Sequence, residues 1–214
     1  MAWLILAFDG DDAEAPARRL GARDAHVAFI AAEAKAGRLV LGLPLHDEQA
    51  QSLGSLMVLD VADQAGVDAY LAAEPFACDD VWQRIETHPF RIAPLPYAPW
   101  PSPGSAMPGP RSHTIAIAMD GLDEGAEARR AAARPAHMAR VRPLAEDGTL
   151  LFGGAILDAP EGRMVGSVAI TRHTSHEQAK RFWAEDPYVT GDVWRQVALY
   201  GTLLRPLDYK PLPR

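Results

Sequence analysis

Apolar residues in this chain fall into short runs with β-branched or alternating character, separated by longer stretches dominated by alanine and arginine. The opening MAWLILAFDGDD is apolar for only a few residues and then runs into acids, which predicts a first strand. HTIAIAM, from His113, predicts another. The stretch that follows, EARRAAARPAHMARVRPLAEDG, has little β-branching and predicts a helix, with Gly148 at its C-terminal cap. Pro135 and Pro143 interrupt an ideal helix. Pro135 is therefore expected in the first turn of the main helix, where a missing N–H costs least, and His137 near that N-terminus. TLLFGGAI and GSVAITRH read as two strands around a loop, and SHEQAKRFWAED as a second helix with Ser175 as its N-cap. VWRQVALYGTLL is the last strand. The order is β-α-β-β-α-β.

The same order occurs earlier, because the chain is written twice. AFDGDDAEAPARRLGARDAH, from Ala7, aligns without a gap on AMDGLDEGAEARRAAARPAH, from Ala118, and about half of the positions from Ala7 to Gly42 are identical to their partners. One residue is gained between Leu43–Leu53 and Gly154–Val165, the mark of a surface loop. Gly54-Ser55 then pairs with Gly166-Ser167, EPF at Glu74 with DPY at Asp186, and DVW at Asp80 with DVW at Asp192. PLPYAP, from Pro94, has the composition of a linker but pairs with PLDYKP, from Pro206, so both belong to the repeat. Each is expected to pack on a neighbour through Leu95/Leu207 and Tyr97/Tyr209. The expected division is a first repeat with its arm at 1–101, a linker at 102–111, and a second repeat with its arm at 112–214. The fold class is α+β: two ferredoxin-like βαββαβ repeats, helices on one sheet face, the other faces covering each other in an intramolecular pseudo-dimer.

Composition narrows the function classes. The 214 residues, 48% apolar, suffice for one large core or two of modest size. A net charge of −7 argues against a nucleic-acid partner. The N-terminal run lacks a basic flank and the length of a signal core, and no stretch approaches a membrane span. The one cysteine, Cys78, excludes an internal disulfide and a thiolate-rich metal site. A cytoplasmic protein is expected.

Three chemical features recur: an Asp after the first strand (Asp9, Asp120), Arg-x-Ala-His (Arg23/His26, Arg134/His137), and an acid before Pro-aromatic (Glu74, Asp186). Histidine exchanges protons near neutrality, a carboxylate can orient its ring, and arginine offers a fork for an anionic oxygen. An Arg/His pair early in a helix also serves in capping or salt bridging, and Asp-Gly ends a strand naturally. Ser55 and Ser167 are candidate pocket-lining hydroxyls, and Trp82 and Trp194 are expected in the core. No Gly-rich phosphate loop is present. His173-x-x-His176 has no counterpart in the first copy and reads as a solvated turn, so no metal is expected.

RPAHMAR ahead of a helix, Gly-Ser leading a strand, and DPYVTGDVW together resemble the YciI-like (YCII-related) family of the dimeric α+β barrel superfamily. The resemblance covers nearly the whole chain, once per repeat. It implies a ferredoxin-like unit paired through its sheets, with a site made of a His and an Asp. Carried over, these are His137 with Asp186, and His26 with Glu74 in the departing first copy, where Asp24 also replaces the proline. Because Glu74 is one methylene longer, the expectation is an intact second site and a displaced, more structural first one. The implied function is a cofactor-independent lyase or isomerase acting on a small acidic aromatic or enolic molecule, as in dehydrochlorination or double-bond migration. Arg134, Arg23, Asp120 and Ser167 would bind substrate. A non-catalytic small-molecule-binding or regulatory module is the alternative, and a structural protein whose arms dock on another subunit is a third. A homo-oligomer is compatible with any of these.

Overall fold

The structure is a computed structural model that describes residues 1–109 and 111–212. Position 110, inside the expected linker, and positions 213–214, at the end of the second repeat, lie outside the described residues. The first unit runs β1 (Ala2–Asp9), α1 (Ala15–Ala36), β2 (Leu39–His46), β3 (Ser52–Asp60), α2 (Gln64–Ala73), α3 (Pro75–Cys78) and β4 (Trp82–Ile92). The second repeats it: β5 (His113–Asp120), α4 (Ala126–Glu146), β6 (Leu150–Leu157), β7 (Met164–Thr171), α5 (His176–Ala184), α6 (Pro187–Thr190) and β8 (Trp194–Thr202). The α+β pattern of two βαββαβ units is the observed one, with a single-turn helix added before each last strand.

All strand pairings are antiparallel, and the strands close into one barrel in the order β1-β3-β2-β8-β5-β7-β6-β4. The two sheets therefore do not merely stack. They curl until their edges meet, through His46 opposite Gly201 at one seam and Phe90–Ile92 opposite Gly154–Ile156 at the other. Period-2 alternation decides what faces inward. Asp9 and Asp120 bond to arginines on α1 and α4, so the odd positions of β1 and the even positions of β5 face the helices. Leu4, Leu6, Ile115 and Ile117 fill the barrel interior, where both units share one core. Phe90 and Phe152 stack within that core at 6.0 Å, each almost fully buried and each stabilising by roughly 1.5–3 kcal/mol. A second core lies beneath α4 and α5.

The proline-rich arms cross between units. The Tyr97 hydroxyl, from the first arm, donates to the Gly153 carbonyl in the second unit at 2.9 Å. Tyr209, from the second arm, donates to the Gly42 carbonyl in the first unit at 3.2 Å.

The long helices correct one expectation. Pro135 lies well inside α4, nine residues beyond its first, and Pro143 is inside it too. His137 is consequently mid-helix and out of reach of the N-terminal dipole. The helix tolerates Pro135 because it is anchored on both sides. Buried Arg130 ties the preceding turns to β5, while Val141 and Ala145 pack the following ones. Such packing outweighs a local penalty of about 3 kcal/mol.

Candidate active site

The acid-Pro-aromatic motif builds the heart of the site. Asp186 is the N-cap of α6, its carboxylate accepting the Tyr188 N–H at 2.8 Å, with Pro187 pre-set for the first turn. Fully buried, the same oxygen lies 2.8 Å from His137 Nδ1. The motif's aromatic residue then becomes a platform: Tyr188 stacks under the His137 ring at 3.9 Å and 9°. Trp194 approaches the ring edge-on at 5.9 Å. An ionised carboxylate only accepts, so it holds the proton on Nδ1 and leaves Nε2 as the ring's free atom.

The first unit reproduces this arrangement. His26 Nδ1 lies 2.5 Å from Glu74, Glu74 caps α3 through the Phe76 N–H at 3.2 Å, and Phe76 stacks on His26 at 3.9 Å and 8°. The expected displacement of Glu74 does not occur: the extra methylene is absorbed and the carboxylate still meets its histidine. What differs is the charge around the carboxylate. Arg140 reaches the second Asp186 oxygen at 3.4 Å, whereas Phe29 stands at the corresponding place in the first unit. Asp186 is shared between His137 and the Arg140 guanidinium, whereas Glu74 makes no ion pair with an arginine among the described residues.

A second layer was not singled out from the sequence. Arg130 lies with both Asp120 oxygens 2.8 Å from one nitrogen, and its other terminal nitrogen donates to the Gly166 carbonyl at 3.2 Å and the Ser167 hydroxyl at 2.9 Å. Arg19 does the same with Asp9, Gly54 and Ser55. The guanidiniums lie over the aromatic platforms, 4.7 Å from Tyr188 and 4.6 Å from Phe76. The available signal was the Arg-Arg pair repeated at 18–19 and 129–130. Asp120 is thus a buried orienting group, its carboxyl raised by desolvation against the opposing pull of Arg130. Gly54 and Gly166 explain the recurring Gly-Ser. A Cβ at Gly54, where φ is +152°, would sit 2.0 Å from the Ala7 carbonyl, and one at Gly166 2.6 Å from that of Ala118.

Ser167 Oγ receives two donors, Arg130 and the Trp194 indole N–H at 3.2 Å, so its own hydrogen is available to a ligand. Ser167 and His137 line one cavity of about 80 Å³, together with Arg134, Met138 and Val141; the end of β4 and the start of the first arm, Arg91–Leu95, supply another wall. Trp183, in the same lining, keeps a buried indole N–H that meets no acceptor among the described residues. Arg134 is exposed. In the first unit His26, Ser55 and Arg23 border a cavity of about 190 Å³ whose far side is Leu203 and Arg205 of the second arm.

His137, Arg134 and Ser167 line one cavity and His26 and Arg23 another, while Asp186, Glu74 and Asp120 are buried off both linings. Trp82 and Trp194 are buried, as expected, though Trp194 also bonds Ser167. His173 and His176 bond instead to Thr171 and Glu48. Among the described residues no group of three or more His, Cys, Asp or Glu side chains could hold a metal ion, and no described helix is long and apolar enough to cross a membrane.

A family model for the YCII-related domain matches residues 1–91 and again 116–201. The chain belongs to that family. The two matched segments coincide with the two βαββαβ units. No curated protein matches the chain. Among solved structures, the YCII-related chain is similar to an anthrone oxidase-like protein at 11% identity, covering 95% of this chain and 90% of that one, with a TM-score of 0.56. It is also similar to a chlorite dismutase variant from Candidatus Nitrospira defluvii, at 11% identity, 97% and 92% coverage and a TM-score of 0.55. At such identity these share the dimeric α+β barrel fold. A 5-chloro-2-hydroxyhydroquinone dehydrochlorinase from Burkholderia phenoliruptrix, in complex with 2,5-dihydroxybenzoquinone, is 23% identical over 41% of this chain and 89% of its own, with a TM-score of 0.36.

Proposed function

We propose that the cavity beside His137 is an active site for proton transfer on a small acidic organic molecule, aromatic or enolic. The observation that carries this reading is an imidazole held on two sides with its third, Nε2, left open. Asp186 binds Nδ1, Tyr188 fixes the ring plane, and Nε2 has no partner among the described residues beside the Ser167 hydroxyl and Arg134 in one cavity. In this reading Nε2 takes a proton from the substrate, Asp186 stabilises the imidazolium, and Ser167 with Arg134 stabilises the oxyanion that develops. The electron pair left behind either expels a β-leaving group such as chloride or shifts a double bond. Protonated His137 then returns its proton to the new carbon in the isomerisation, or releases it to solvent when chloride leaves as the anion.

The test is turnover of chlorinated hydroxyquinols and enol lactones by the wild type and by His137→Gln. Proton transfer by a positioned side chain contributes roughly 10²–10⁴-fold, and a loss of that size in kcat is expected. Equal turnover by wild type and variant overturns the mechanism. Binding of these compounds without turnover favours a ligand-binding module instead.

A further inference from the structure

The crossing second arm brings an arginine to the wall of the first unit's cavity. Three arginines border the first unit's cavity: Arg19, Arg23 and Arg205. Arg19 is neutralised by Asp9 at 2.8 Å. The acid nearest Arg23 is Asp24, 4.0 Å away and wholly exposed, a pair that water screens almost completely. Arg205 is half-buried and makes no ion pair with any described carboxylate. Burial, aggravated by Arg23, pushes its guanidinium below the ordinary arginine value. The carboxylates nearby are already committed, Asp9 to Arg19 and Glu74 to His26. Arg23 at the rim and half-buried Arg205 thus face one cavity with no carboxylate on its lining to pair with Arg205.

The second cavity is lined by three arginines of its own, Arg91, Arg130 and Arg134, with Arg130 neutralised by Asp120 at 2.8 Å, but its arm contributes none of them. The position equivalent to Arg205 in the first arm is Ala93, which lines the second cavity beside Pro94 and Leu95. Its remaining walls are largely apolar, with Met138, Val141 and Trp183.

We propose that the first unit's cavity is a separate binding site for a small dianion, held between Arg23 of that unit and Arg205 of the other unit's arm. A short dicarboxylate and a phosphate share the required chemistry, two negative charges carried on oxygen within a compact volume. The His26 ring and the Ser55 hydroxyl offer further polar contacts on the same lining. The proposal rests on the functional reading above only in treating both cavities as ligand sites. Its readout is binding, so it stands or falls separately from turnover.

The experiment is calorimetric titration of the full chain with malonate, with inorganic phosphate and with benzoate. At least one dianion is expected to bind, more weakly as salt is raised, and the malonate and phosphate arms identify which oxyanion the site prefers. Arg205→Gln and, independently of the arm, Arg23→Gln should each weaken that binding at least tenfold. Arg205→Lys should restore most of it, and His137→Gln should leave it unchanged. Failure of both dianions to bind the wild type overturns the proposal. So does binding that survives both glutamine variants, or binding that His137→Gln abolishes.

Discussion

Each candidate histidine is held by a buried carboxylate, an aromatic face and a tryptophan edge, and the same four residue positions supply all of this in both units. The motif residues His, Asp or Glu, and Ser were legible because the chain repeats them. Their neighbours were less so. Arg23 and Arg134 stood out through the Arg-x-Ala-His spacing, yet both are exposed at cavity rims, while Arg19 and Arg130 hold the inner network. A helical repeat records which residues recur, not which of two adjacent arginines points inward. Arg130 and Asp120 are 5% and 7% exposed, so removing one strands a buried charge. Arg130→Ala should cost about 3–5 kcal/mol in urea unfolding. The double substitution Arg130→Met with Asp120→Leu should recover most of that loss. Equal destabilisation by both proteins would show that the network contributes more than charge pairing.

At the scale of elements, the strands and both long helices follow from apolar runs and helix-favouring stretches, and Ser175 caps α5 through the Gln178 N–H as its position suggests. The single-turn helices α3 and α6 were not anticipated, because four residues have no periodicity to read. Their existence depends on a capping carboxylate whose other partner is distant in sequence: His137 and Asp186 are 49 positions apart. The placement of Pro135 shows the opposite failure. Local chemistry assigned it to a first turn, and tertiary anchoring on both sides carried the helix through it. Because Pro135 is exposed, Pro135→Ala should stabilise the fold by about 1–3 kcal/mol, as it removes the interior-proline penalty against a smaller gain in unfolded-chain entropy. Unchanged or lowered thermal stability would mean that α4 is shaped around the proline.

At the scale of the whole molecule, closure of the barrel brings groups from both units under cover, and this has a pH signature. Burial pushes the His113 imidazole down to about 4, with Arg172 adding repulsion, and burial lowers His173 and His176 in the same direction. Between about 4 and the ordinary value of 6.5 the unfolded chain binds more protons than the folded one. Stability is therefore full above that window and falls as pH drops through it. Asp9 and Asp120, raised by burial, work in the opposite sense just above 3.8. Urea midpoints should fall between pH 7 and pH 5, and His113→Gln should shrink the difference. An equal difference in the variant would place the acid sensitivity elsewhere.

Strand order, helix content, the repeated histidine and its acidic partner are consequences of local pattern, and a local pattern written twice is readable without coordinates. Whether Glu74 reaches His26, and which arm walls which cavity, depend on contacts between residues far apart in the chain. Those contacts are set by curling two sheets until their edges join. That closure sends Ala93 to one cavity and Arg205 to the other, so two nearly equal repeats end with differently lined sites.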